Sequence, residues 1–448
     1  MFPQGLRIVS ITFKNAALLH IDPPLAAPGG LRVSGDAIDQ VGPDVTPQPG
    51  DEIIDCGGAL LLPGLVNGHT HLYSVLAAGM PPPPRQPKNF HEILQLIWWR
   101  LDRALDAASI ETSATIGALD ALRCGTTTLI DHHASPNFIV DSLDVLQRGV
   151  DAVGLRTLLS YETTDRNGLE QAAAGLAENR RYLDRCRRLS DCRHAAMVGA
   201  HAAFTLGDES LAACVKLAVD FQTGLHIHVA EDPCDDDICR RGFGAPLIDR
   251  LRACGFLDPD GGVAGRSILA HCTHLAPADA RDISRIVGAV AHNPRSNMNN
   301  QVGYAPIAHL SGVQLGTDGI GGDLFTESKC AFFMARHARL DVAPDAVVAM
   351  LAQSARTAGR ILGMTLGKLQ RAAAADLVLT DHIPPVPLDG QNAAAYLLFA
   401  LGPQHIRDVL IAGRWALRNR VVVGLDEPSA RAQAVDVTRA LSEKMGSL

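Results

Sequence analysis

The chain has 448 residues, 40 Lys plus Arg against 48 Asp plus Glu, and 47% hydrophobic residues. A formal net charge of −8 offers no basic face to a phosphate backbone, which argues against a nucleic-acid partner. The apolar fraction excludes a disordered chain, and no apolar run reaches the roughly 20 residues of a membrane span. Ten cysteines are scattered without a CxxC pair. They read as reduced thiols of a cytoplasmic protein rather than a thiolate zinc site. The opening stretch, MFPQGLRIVSITFKNAALLHID, lacks a basic-then-apolar leader pattern and has strand texture.

Residues 1–60 alternate apolar and polar positions between Gly and Pro turns, as antiparallel strands do. Over 61–365 short β-rich runs alternate with longer Ala/Leu/Arg stretches of helical period. Eight such runs follow one another: Leu65–His71, Thr126–His132, Leu155–Tyr161, Met197–Ala202, Leu225–Ala230, Ser267–His271, Ala289–His292 and Val313–Asp318. Helical patterns such as ILQLIWWRLDRALDAA and ESLAACVKLAVDF lie between them. Eight β/α units in series predict an α/β fold, a (β/α)8 barrel of the TIM type. Residues 366–425 return to strands, and 426–448 close the chain as a charged helix. Both strand blocks together predict one small β domain beside the barrel.

Barrel chemistry sits at the C-terminal ends of the strands. Here those ends carry Asn67-Gly68-His69-Thr70-His71, Asp131-His132-His133, His201, His228 with Glu231, His271, His292-Asn293 and Asp318. His69 and His71 are two apart, so a strand points both rings to one face. His228 can add a third nitrogen and Asp318 an oxygen, leaving a position for water around a divalent ion. Glu231, three residues past His228, is free to move protons. His226 shares the face of His228 one layer deeper and reads as a buried, hydrogen-bonded histidine. No Lys lies between Lys88 and Lys216, so the fourth strand has none to bridge a second ion. Glu162 is the nearby carboxylate that keeps a second metal open, against a pocket-wall role.

The segments PGLVNGHTH, HIHVAE, LAHCTH and LGTDG resemble the amidohydrolase superfamily, in its metal-dependent aminohydrolase branch. FHEILQLIWWRLDRALD, TTTLIDHHASPN, AHAAFTL, HNPRSNMNNQVGY and PPVPLDGQN are similar to the SsnA-like aminohydrolases within it. The likeness runs over about residues 60–415. It implies a distorted barrel with a small β-sandwich built from both chain ends. It also implies one divalent ion, zinc with iron as the alternative, held by His69, His71, His228 and Asp318. Glu231 becomes the proton shuttle, and His271 a histidine touching the water or the reacting carbon. His274 follows closely enough to compete for that role. The resemblance further implies substrate contact at His201 and a homodimer.

The substrate side is read from the residues. Asp131, His132 and His133 can hydrogen-bond a polar heterocycle or form a structural network. Arg295 can clamp an anionic group or order its loop through an ion pair, and Asn297 follows it toward the site. Trp98 and Trp99 are adjacent in a helical pattern, so at least one is expected in core or interface. Asp232–Asp237 reads as a solvated loop and helix start. These readings predict a hydrolytic deaminase of an amino-substituted nitrogen heterocycle. The alternatives are a cyclic-amide or chloro-heterocycle hydrolase on the same site, and a metal-binding barrel without catalysis.

Overall fold

The computed structural model describes residues 10–189, 193–260 and 262–448. The first nine residues of the expected strand block and Cys192 lie outside these. Two parallel sheets surround a common axis. One holds the strands Leu65–Thr70, Thr126–His133, Arg156–Tyr161 and His194–Ala196. The other holds Val198–Ala202, Leu225–Val229, Ile268–His271, Ala289–His292 and Val313–Leu315. The expected fourth strand, Met197–Ala202, is present as Val198–Ala202, and a short strand before it, His194–Ala196, which lies outside the expected runs, belongs to the other sheet.

Among the described residues single bridges join the two sheets, Thr70 to Asp318 on one side and Thr163 to Ala200 on the other. His71 N donates to Asp318 O (3.3 Å) and Asp318 N to His69 O (3.0 Å) at the first seam; His201 N donates to Thr163 O (3.0 Å) at the second. This is the distortion of the barrel. The strand interiors are buried throughout, as parallel strands covered by helices must be. Glycine makes the first seam possible. A Cβ on Gly68 would lie 2.6 Å from Leu315 O, and one on Gly316 2.7 Å from the His69 Cβ.

Strands from both chain ends form a nine-stranded sheet that includes Ile11–Ile21, Pro24–Ser34, Leu60–Pro63, Leu377–Thr380 and Ile406–Ile411. The sheet curls on itself like a sandwich. Trp415 packs edge-on to Phe13 at 6.0 Å, and its Nε1 donates to Glu52 (3.2 Å) from a strand far away in sheet order. Phe13, Leu31, Val33, Ile38, Leu377 and Leu410 fill the space between. The barrel is fixed to this sheet by Arg156, whose Nε and Nη2 reach Asp376 at 2.7 and 3.0 Å with both side chains buried. The tail is not all strand: Ala393–Ala400 is a helix. The closing helix, Glu427–Ser447, lies on the helix Ala107–Arg123. Among the described residues no helix is long and apolar enough to cross a membrane.

Candidate active site

The ends of the first, fifth, sixth and eighth strands point His69, His71, His228, His271 and Asp318 into one buried centre. Each ring is oriented from behind. His71 Nδ1 donates to His132 O (2.6 Å) and His228 Nδ1 to His201 O (2.9 Å). A carbonyl only accepts, so both rings carry a proton on Nδ1, and in its neutral form each offers a lone pair on Nε2. His69 Nδ1 meets His226 Nε2 at 2.8 Å. His226 Nδ1 lies 3.5 Å from Ser160 Oγ, whose own proton goes to Asp131 O. The chain of donors therefore ends with a lone pair on His69 Nε2 as well.

Three lone pairs and a carboxylate now face one another. Asp318 Oδ1 is 3.0 Å from His71 Nε2 and 3.5 Å from His69 Nε2; His228 Nε2 is 3.3 Å from His71 Nε2. The His69 Nε2 atom is buried with no hydrogen-bond partner among the described residues. Such a set is repulsive by itself and suits a divalent cation of nitrogen- and oxygen-binding character. His226, expected to be a buried bonded histidine, supports His69.

Backbone strain accompanies this convergence. Ala230, His271, Cys272 and Asp318 all have positive φ (51, 72, 54 and 52°), a region costly for residues with a Cβ and frequent at functional sites. Glu231 follows directly. Its Oε2 is 3.5 Å from His271 Nε2, and Asn300 Nδ2 stands 3.5 Å from its other oxygen. Burial, then the Asp318 carboxylate, pushes Glu231 well above the usual carboxylate range. His271 Nδ1 bonds to Asn297 Oδ1 (2.9 Å), which leaves its Nε2 toward the centre. His274 turns away, to Val302 O.

A cavity opens over this centre. His201 lines it. Its Nδ1 donates to Thr205 Oγ1 (2.8 Å), whose proton goes to Ala202 O (3.0 Å), so the Nε2 lone pair faces the cavity. Three expected contacts fall elsewhere. His132 is fully buried against His226, ring centroids 4.4 Å apart, and is not in the cavity wall. Asn297 reaches the centre only through His271. Arg295 is bound to Glu327 and to Gly321 O, because that buried carboxylate offers a nearer partner than any ligand. Glu162 lies in the wall between His71 Nδ1 (3.3 Å) and His201 Nε2 (3.9 Å).

The tryptophan expectation is corrected: Trp98 and Trp99 both line the cavity. The helix loosens to a π-turn at Leu94–Trp98, which changes the angle between successive side chains at that point. The Asp232–Asp237 run is the expected helix start but is not solvated throughout. Asp232 caps the helix Pro233–Phe243, while Asp235 is buried and its carboxylate accepts Glu231 N at 2.9 Å. An N-cap followed by Pro at the first helical position was the available signal, since it turns the third helical residue back toward the strand end. Ser296, which donates to Asp318 Oδ2 at 2.5 Å, and Arg166 and Asp102 in the cavity wall had no signal, because only the tertiary fold brings them there.

The family described as Amidohydrolase family matches residues 60–416. A 5'-deoxyadenosine deaminase of Methanothermobacter thermautotrophicus is 28% identical over 443 residues, 95% of this chain and 99% of that protein. A 5-methylthioadenosine/S-adenosylhomocysteine deaminase of Desulforudis audaxviator is 29% identical over 408 residues, 88% of this chain and 90% of its own. Among solved structures, a zinc-bound adenosine deaminase from Xanthomonas campestris superposes with a TM-score of 0.81 at 22% identity, covering 98% of this chain and 99% of that one. Zinc-bound atrazine chlorohydrolase TrzN from Arthrobacter aurescens does so with 0.78 at 20%, covering 96% and 100%. At these identities the two structures speak for the shared fold.

Proposed function

The chain belongs to the amidohydrolase family, and from that premise we propose that it hydrolytically deaminates an amino-substituted nitrogen heterocycle and releases ammonia. The observation that carries the reading is the convergence of the His69, His71 and His228 lone pairs with Asp318, beside a buried Glu231 and His271. The names of the deaminase relatives, both for adenine nucleosides, support the bond broken.

A divalent ion held by His69, His71, His228 and Asp318, zinc first and iron as the alternative, supplies a lowered pKa for a bound water and a counter-charge for the developing tetrahedral carbon. Asp318 Oδ2, already bonded to Ser296, takes the first proton of the attacking water. Glu231, whose burial favours the protonated form, gives its proton to the ring nitrogen beside the attacked carbon, then takes the hydroxyl proton of the tetrahedral carbon and passes it to the departing amine, and the proton held by Asp318 returns Glu231 to its starting state. His271, its Nδ1 tied to Asn297, faces the reacting carbon with Nε2. The water oxygen ends on carbon, the carbon–nitrogen bond breaks, and ammonia leaves. His201 Nε2 accepts a hydrogen bond from the substrate. The enzyme works on a small molecule, in the cytoplasm and as a homodimer.

Metal analysis joined to an ammonia-release screen over purines, pyrimidines, pterins and triazines tests the reading. Ammonia from at least one amine, abolished by chelation, is the expected result. Chloride or a ring-opened amide in its place moves the site to the alternative hydrolases, and a loaded protein without turnover leaves only a metal-binding barrel.

A further inference from the structure

Arg166 stands in the cavity wall, on the loop after the third barrel strand, with its side chain 10% exposed. Its Nη2 donates to Asp102 Oδ2 at 2.5 Å; Asp102 is itself buried, on the helix Trp99–Ala104. The guanidinium lies 4.9 Å from the centroid of the Trp99 ring. The group is therefore held from two sides, by a carboxylate and by an aromatic ring. Nε and Nη1 are buried without a hydrogen-bond partner among the described residues, and so is Trp99 Nε1.

Three unpaired buried donors on one wall define what completes them. A guanidinium does not relieve itself by losing a proton. A ring nitrogen offers one lone pair, whereas an oxo oxygen offers two and a carboxylate about four. The carboxylates on this wall, Asp102 and Glu162, repel an oxygen ligand and leave Arg166 as the group that receives one. We infer that Arg166, fixed by Asp102 and Trp99, selects the substrate by an oxygen acceptor remote from the reacting amine, either an oxo group on the ring or a carboxylate on a side chain. This rests on the deaminase reading only for where the amine lies. An adenine nucleoside with neither feature offers Nε and Nη1 only neutral hydroxyl oxygens, weaker acceptors for a cation than a carboxylate, so the chain's selectivity departs from that of a 5'-deoxyadenosine deaminase.

The test uses the full-length, zinc-loaded protein. Trp98 and Trp99 line the cavity, so ligand binding is read from tryptophan emission without any need for turnover. Guanine carries the oxo group, S-adenosylhomocysteine the carboxylate, and 5'-deoxyadenosine neither. The wild type is expected to bind one of the first two at least ten-fold tighter than the third, and which one identifies the oxygen. Arg166→Met should weaken that ligand 30-fold or more and change 5'-deoxyadenosine less than three-fold, with Arg166→Lys between. Equal losses for all three ligands, no loss, a preference for 5'-deoxyadenosine, or no binding of any of them overturns the inference. Ammonia assayed in the same samples reports separately on the reaction: selective binding through Arg166 without ammonia sinks the deaminase reading and leaves this one standing.

Discussion

Glu231→Gln preserves shape beside His271 and removes the exchangeable proton. Its expected outcome is unchanged metal content with turnover reduced by about 10²–10⁴-fold, the usual range for a general acid–base group; a Gln variant of normal activity takes Glu231 out of the chemistry. His226 acts behind the centre. His226→Ala frees His69 Nδ1 from its 2.8 Å partner and should weaken metal binding by roughly 10–100-fold, as loss of an orienting partner does, measured by competition with a chelating dye. The residues that hold the centre were readable because strand period and strand-end position are local properties. Their orienting partners were not. His132 supplies a carbonyl, not its ring, and Asn297 serves His271, not a ligand; both depend on which atoms face each other across strands that are distant in sequence.

Among the elements, the β/α alternation was legible because each unit announces itself within about thirty residues. Two departures have local causes that composition hides. Ahead of the fourth strand the segment His194–Ala196 pairs with the third strand of the other sheet, and three residues are too few to show a period. The π-turn at Leu94–Trp98 has no apolar-periodicity signature, yet it decides where both tryptophans go. The small β sheet has its own acid sensitivity. Arg32 Nε and Nη2 grip Asp51 at 2.8 and 3.0 Å, and these hydrogen bonds lower its carboxyl from 3.8 to about 2. A depressed folded-state value means that the contribution is complete above the unfolded value and is lost as pH falls through the folded one. Thermal scans between about pH 4 and 2 should therefore show a shallower stability loss in Asp51→Asn than in the wild type.

For the whole molecule, barrel and outer sheet meet over the buried Arg156–Asp376 pair. Asp376→Ala takes the carboxylate away from the buried guanidinium and should cost about 3–5 kcal/mol in unfolding free energy, whereas apolar replacement of both residues should cost far less. Equal losses in the two variants count against the pair as the cause. Cation binding links to global stability as well. Metal at a hundred times its dissociation constant should add about 2.7 kcal/mol, seen as a melting temperature that chelator lowers and zinc restores, and His69→Ala should lose that response.

The barrel wall is joined at one of its two seams by the Thr70–Asp318 bridge and a few hydrogen bonds around it. The same join is flanked by His69 and His71 on one edge and Asp318 on the other. A cation there is a rivet through both edges, so loading the site and closing the cylinder become a single event. Deuterium uptake at the amides of His71, Thr317 and Asp318 should quicken when the ion is stripped, while the opposite join at Thr163 and Ala200 keeps its pace.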